Sequence, residues 1–177
     1  MNLVIFDLEA ACREDRIPPE EMEIIEIGAV KLGVDFSPCG EFSSFAKPVL
    51  NPVLTDFCKT LTGIGQENID GAEDFKAVFP KFLKWIGDGK ITFCSWGNYD
   101  LKQIKADCKR HGIPFPGSFN NHINLKWLFA EKFNCRPCGM RKALNKLGLP
   151  LAGSHHRALD DARNIARIAK FVLEKGK

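Results

Sequence analysis

Asp7 and Glu9 stand two residues apart at the end of an apolar run, Leu3-Val4-Ile5-Phe6. Side chains alternate along a strand, so in extended backbone both carboxylates point to one face. Two like charges on one side of a buried strand end repel, and they are costly to desolvate unless a cation neutralises them. Asp100 follows a second apolar run and opens a helical pattern, and Asp160 and Asp161 open the last one, with His156 five residues before Asp161. Taken singly, each has an ordinary explanation: a solvated strand end, a helix cap, acidic groups at the positive end of a helix dipole. As a set they do not. Four carboxylates, Asp7, Glu9, Asp100 and Asp161, drawn to one point would hold two divalent cations about 3.5–4 Å apart, the arrangement used for in-line attack on phosphodiesters. Oxygen ligands of this hardness favour Mg2+ or Mn2+. His156 would take a proton from the attacking water, because imidazole titrates near neutral pH. His155 is its neighbour, and the spacing selects His156.

The elements that must position these groups follow from hydrophobic pattern. Residues 2–8 are apolar almost throughout, as in a strand covered on both faces. A polar, proline-containing loop follows over 12–21. Residues 23–34 and 41–49 read as strands, with the turn at 34–40. Pro48 and Pro52 break the pattern before a short helical piece at 54–61. Phe75, Val78, Phe79, Phe82, Leu83 and Ile86 recur at helical intervals and share a face; Gly87 and Gly89 end that helix. Residues 90–96 form another buried strand, 99–111 a helix, 119–123 a short strand, and 124–133 and 139–147 helices. The last helix, 157–174, carries Leu159, Ala162, Ile165, Ala166, Ala169, Val172 and Leu173 on one side. Three leading strands joined by short turns make an antiparallel meander, and later strands separated by helices must add in parallel. The expected fold is α/β, a mixed five-stranded sheet with helices on both faces and residues 2–8 at its centre. No repeat or linker divides the chain, so 1–177 reads as one domain.

With 177 residues, 45% hydrophobic and 27% charged, the chain can bury a core without disulfides, and disordered, collagenous and low-complexity classes are excluded. No apolar run reaches the roughly 18–20 residues of a membrane helix. Met1 leads straight into the first strand pattern with no secretory signal, so a cytoplasmic location is expected. Lys and Arg number 25 against 22 Asp and Glu, a net +3 that is compatible with a polyanionic partner and decides nothing more. The seven scattered cysteines read as reduced core thiols. Cys135 and Cys138 could form half a zinc site, but no second pair completes one, so they too are read as ordinary thiols.

Phe6-Asp7-Leu8-Glu9-Ala10, Trp96-Gly97-Asn98-Tyr99-Asp100 and His156-Arg157-Ala158-Leu159-Asp160-Asp161 resemble the three motifs of the DEDDh, DnaQ-like 3′→5′ exonucleases. The likeness runs from residue 2 to about 173. It is greatest to the exoribonuclease branch that contains the histone-mRNA 3′-exonuclease and its bacterial relatives, through 7–12, 23–30, 61–64 and 159–166. The resemblance implies a ribonuclease H-like fold and two Mg2+ or Mn2+ ions per site. Asp7, Glu9 and Asp161 would hold the first ion, Asp7 would bridge to the second, and Asp100 would act partly through bound water. His156 would be the general base; the sister class carries tyrosine where Arg157 stands. It also implies substrate contacts from Leu61 and Thr62 on a loop beside the site, and from Ala10 and Ala11 at its floor. Family members often carry Thr where Ala11 stands.

Trp96 and Tyr99 flank Asp100 and could stack on a terminal base. Arg13, Lys102, Lys105, Arg110, Arg136, Arg141 and Lys142 could track phosphates or merely solvate a face. Glu23 and Glu26, inside the second strand, read as supporting residues; His111 and His122 read as structural. The expected function is hydrolysis of single-stranded RNA 3′ ends to nucleoside 5′-monophosphates. The rivals are a DNA exonuclease of the proofreading or repair type, and a catalytically silent nucleic-acid-binding module. The chain starts almost at its first motif, so no appended RNA-binding domain is expected; a monomer or homodimer is compatible with the sequence.

Overall fold

Strand β1 (Asn2–Ala10) buries Leu3 and Ile5 on one face and Val4, Phe6 and Leu8 on the other, so both its faces must be covered. The computed structural model describes residues 2–15 and 17–174; the sequence reading at residues 1, 16 and 175–177 lies outside the described residues. β1 pairs antiparallel with β2 (Ile24–Leu32), which pairs antiparallel with β3 (Pro38–Phe45). On its other side β1 pairs parallel with β4 (Ile91–Ser95), and β4 pairs parallel with β5 (His122–Asn124). The strand order is β3-β2-β1-β4-β5, the expected mixed five-stranded sheet with its first strand central.

The connections supply α1 (Asp56–Thr62), α2 (Gln66–Asp70), α3 (Phe75–Ile86), α4 (Tyr99–Arg110), α5 (Leu125–Lys132), α6 (Met140–Lys146) and α7 (Ala158–Leu173). Val4, Phe6 and Leu8 pack with Phe75, Phe79 and Phe82 of α3, Ile104 of α4, Phe93 and Phe119. Leu3 and Ile5 pack with Phe129 of α5, Leu144 of α6, and Ala162, Ile165 and Ala169 of α7. Helices therefore lie on both faces. Because Asp7 and Glu9 share the parity of Leu3 and Ile5, they face the α7 side. Among the described residues no helix is long and apolar enough to cross a membrane. All seven cysteines are free thiols.

The main differences from the sequence reading are two strand boundaries and one added helix. β3 starts at Pro38 and ends at Phe45 instead of spanning 41–49. The chain beyond it is held by the Glu23 carboxylate, which accepts from the N–H groups of Val49, Leu50 and Asn51 at 2.7, 2.8 and 3.1 Å. A 3-10 turn takes Gly117–Asn120, which moves the short strand to His122–Asn124. α2 was not anticipated, since five residues are too few to show a period.

Candidate active site

β1 and β4 run parallel, so their carboxyl ends open at the same edge of the sheet. A short turn after β4 leads into α4, and Asp100 in its first turn accepts from the Leu8 N–H of β1 at 3.2 Å. α7 crosses the face that Asp7 and Glu9 present and brings Asp161, again from a first turn. One oxygen each from Asp7, Glu9 and Asp161 lies within 4.8 Å of the others. Glu9, Asp100 and Asp161 are buried and Asp7 is half-buried.

The approach of α7 is set by β2. Gly28 sits opposite Asp7 in register, and a Cβ there would lie 2.1 Å from the Ala158 carbonyl carbon. Only a residue without a side chain lets the helix start so close to the sheet. Glu26, opposite Glu9, accepts from Arg157 Nε and Nη2 at 3.1 Å each and from the Ala158 N–H at 3.0 Å. Arg157, at the N-cap, makes no side-chain capping hydrogen bond, so a carboxylate from the neighbouring strand satisfies the orphan amide. The loop before it is tied down as well. Asn164 bonds Ala152 in both directions, at 3.1 and 2.8 Å, and Asp160 accepts from Ser154 N–H at 2.9 Å.

That loop presents both histidines. Their rings stack with centroids 4.0 Å apart. His155 Nδ1 lies 3.0 and 2.9 Å from the two Asp161 oxygens. His156 donates its main-chain N–H to Asp161 at 3.1 Å and adopts φ +65°, a left-handed conformation that costs about 1–3 kcal/mol for a non-glycine residue. His155, His156 and Asp161 can also bring one atom each within 4.8 Å. Spacing pointed to His156 alone; the fold places both imidazoles at the acidic cluster.

Burial dominates the electrostatics, and repulsion between the carboxylates adds to it. Loss of water, then the charges of Asp100 and Glu9, hold the Asp7 carboxyl well above its ordinary range. Glu9 is pushed from 4.5 to about 9 by burial, then by Asp161 and Glu26. Burial lifts Asp100 to about 6 against the hydrogen bonds that stabilise its charge. Burial, then the neighbouring His155, lowers His156. The donor set fits divalent cations: hard carboxylate oxygens, close together, in surroundings that disfavour their charge until a cation balances it.

These groups line a cleft of about 360 Å³ together with Trp96, Tyr99, Gly139 and Met140. Trp96 is fixed by its indole N–H, which donates to the Cys138 carbonyl at 2.9 Å, and by an edge contact with Phe129. Tyr99 is exposed, with its hydroxyl 3.2 Å from Gln103 Oε1. Ala10, Ala11, Leu61 and Thr62 are not among the residues that line this cleft. Ala10 is buried with its carbonyl facing the Cys58 thiol, and Ala11 donates to the Glu23 carbonyl. Leu61 is surface-exposed on α1, and the Thr62 hydroxyl donates to the Cys58 carbonyl at 2.8 Å. Cys135 and Cys138 are half-buried against the α7-side core. Glu26 and His155 carry more of the site than the sequence reading assigned them. The signal for Glu26 was a lone charge in an apolar run; for His155 there was none beyond adjacency.

A family model described as Exonuclease matches residues 4–169. The chain is 32% identical to ERI1 exoribonuclease 2 of Xenopus laevis over 98% of its own length and 28% of that protein. It is 29% identical to the 3′-5′ exonuclease Snipper of Drosophila melanogaster, over 98% of this chain and 70% of that protein. The chain thus spans about a quarter of the first of these relatives and most of the second. Among solved structures it is similar to the nuclease domain of 3′hExo, a DEDDh family member bound to rAMP, with TM-score 0.91 and 32% identity, covering 97% of this chain and 91% of that one. A sheet of this order, three acidic residues meeting from β1 and α7, a fourth from α4 and a match across nearly the whole chain lead to one conclusion: the chain belongs to the exonuclease family, in its DEDDh branch.

Proposed function

We propose that this domain is a 3′→5′ exoribonuclease that trims single-stranded RNA ends to nucleoside 5′-monophosphates. The observation that carries this reading is the convergence of Asp7, Glu9 and Asp161 within 4.8 Å in a cleft that also holds Asp100 and two imidazoles. The names of the relatives, exoribonuclease and 3′-5′ exonuclease, support it.

Asp7, Glu9, Asp100 and Asp161 would hold two Mg2+ or Mn2+ ions. When bound, such ions supply Lewis-acid stabilisation of the charge on the attacking and leaving oxygens. The chain's own groups do the rest. His156, kept neutral by burial and by His155, takes the proton of the attacking water; this role is worth about 10²–10⁴ in rate. The water oxygen bonds to phosphorus as the bond to the 3′-oxygen breaks, leaving the phosphate on the released nucleotide. His155 steadies Asp161 from the side, and Tyr99, at the mouth of the cleft, offers a face for the terminal base.

The test is degradation of 5′-labelled single-stranded RNA in Mg2+ or Mn2+, with matched DNA alongside. The expected result is stepwise shortening from the 3′ end with release of 5′-monophosphates, faster on RNA. Asp7→Asn and Asp161→Asn should each slow it by about 10³-fold. Equal or faster loss of DNA would reassign the substrate. RNA binding without any product would reduce the domain to a silent binding module.

A further inference from the structure

The acidic groups of the chain are unevenly placed. From Lys132 to Leu159 there is no Asp or Glu, while the segment holds Lys132, Arg136, Arg141, Lys142, Lys146 and Arg157. Outside it, acids outnumber Lys and Arg by 22 to 19. Two of the six cations have work elsewhere: Lys132 donates to the Val172 and Glu174 carbonyls, and Arg157 holds Glu26. Arg136, Arg141, Lys142 and Lys146 are exposed, and among the described residues none pairs with a carboxylate.

Their position is what gives this asymmetry meaning. Gly139 and Met140 line the acidic cleft, and the Cys138 carbonyl holds Trp96 at its edge. The same stretch of chain continues into an adjoining groove of about 530 Å³, bordered by Arg136, Lys142, Asn145 and Lys146. A carboxylate cluster repels a phosphate chain, so a strand entering it needs free cations along its approach. On the rival approach, past α4, Lys102 and Lys109 are exposed and without a carboxylate partner among the described residues, two such cations against four, and the others there are engaged. Arg13 lies 3.5 Å from both Asp15 and Glu21, Arg110 is bound to Asp107 at 2.7 Å, and Lys105 sits over the Phe115 ring.

We infer that the α5–α6 connection and the outer face of α6 form the track for the upstream phosphates of a single-stranded nucleic acid whose 3′ end occupies the cleft, with Arg136, Arg141, Lys142 and Lys146 as its contacts. The track rests on the exonuclease reading for its orientation. It fixes the side on which the substrate leaves the site, and it makes long strands bind better than short ones without changing the chemistry.

The test compares wild type with the triple variant Arg136→Ala, Arg141→Ala, Lys142→Ala on the dinucleotide UpU and on a fluorescein-labelled oligouridylate of about 12 nucleotides. Turnover is measured in Mn2+, and binding by anisotropy in Ca2+ over a KCl series. The expected result is kcat/KM on UpU within about two-fold of wild type, with KM on the long strand raised about 10-fold or more. The slope of log K against log salt should shrink by about 2, at roughly 0.7 per lost phosphate contact. A glutamine triple at the same positions, which keeps the side-chain stems, should behave alike. Unchanged KM and slope would overturn the track, as would an alanine defect that glutamine restores. Loss of long-strand binding in Lys102→Ala/Lys105→Ala in place of the triple would move the strand to α4 and overturn it as well. Should wild type hydrolyse no RNA, the exonuclease reading fails, and the anisotropy slope still decides the track.

Discussion

Glu9 shows how a single side chain ties stability to metal. Its carboxyl ionises about pH 9 in the fold, against 4.5 ordinarily, because burial and the charges of Asp161 and Glu26 disfavour its anion. A raised folded pKa means that the fold prefers the protonated acid. The stability it contributes is full below the ordinary value and is lost as pH rises through about 9. Metal-free protein should therefore melt at progressively lower temperature across that window, and Glu9→Gln should flatten the trend. A divalent ion reverses the preference by binding the anion, so the rise in Tm produced by Mn2+ over EDTA should be larger at about pH 8.5 than at about pH 5.5. Scanning calorimetry in the two buffers checks this; an equal rise at both pH values would remove Glu9 from the ligand set. His156 pulls the other way on rate. Its depressed pKa predicts that activity falls only at acidic pH as the imidazole gains its proton, a limb that His156→Ala should lack.

At the scale of elements, the seating of α7 on β2 places Asp161. Gly28→Ala would set a methyl group 2.1 Å from the Ala158 carbonyl carbon, so helix or strand must move. The expected outcome is a stability loss of about 1–3 kcal/mol with weakened Mn2+ binding, read by chemical denaturation and titration calorimetry. Glu26→Gln keeps the shape but drops the charge that holds Arg157 and the Ala158 N–H. It should cost about 1–3 kcal/mol and lower kcat more than it raises KM, because the histidine loop slackens while the cleft wall stays. The apolar runs and helical periods made the sheet order legible in the sequence, and the spacing of the acidic motifs made their convergence legible. Glu26 was not legible as a holder of α7, since its partner lies far along the chain and the β1–β2 register is needed to set it opposite Glu9. Nor was the stacking of His155 on His156, which depends on a left-handed turn in a loop without regular pattern. The irregular chain after β3 was hidden for a similar reason, because the carboxylate of Glu23, just before β2, organises it from far along the chain.

The whole molecule separates support from chemistry by the two faces of one sheet. The phenylalanine-rich layer of α3 lies on the face opposite Asp7 and Glu9. Phe82→Ala should destabilise the domain by about 3–5 kcal/mol yet leave turnover per folded molecule nearly intact, which melting curves and active-fraction kinetics at low temperature can separate. The order of the elements in the chain has one more consequence. Asp7 and Glu9 belong to the first strand and Asp161 to the last helix, so a growing polypeptide emerges with part of the acidic set long before the remainder. Synthesis proceeds at about 5–20 residues per second. Throughout that interval the acidic set is incomplete, and it closes only once α7 has emerged and docked on the sheet.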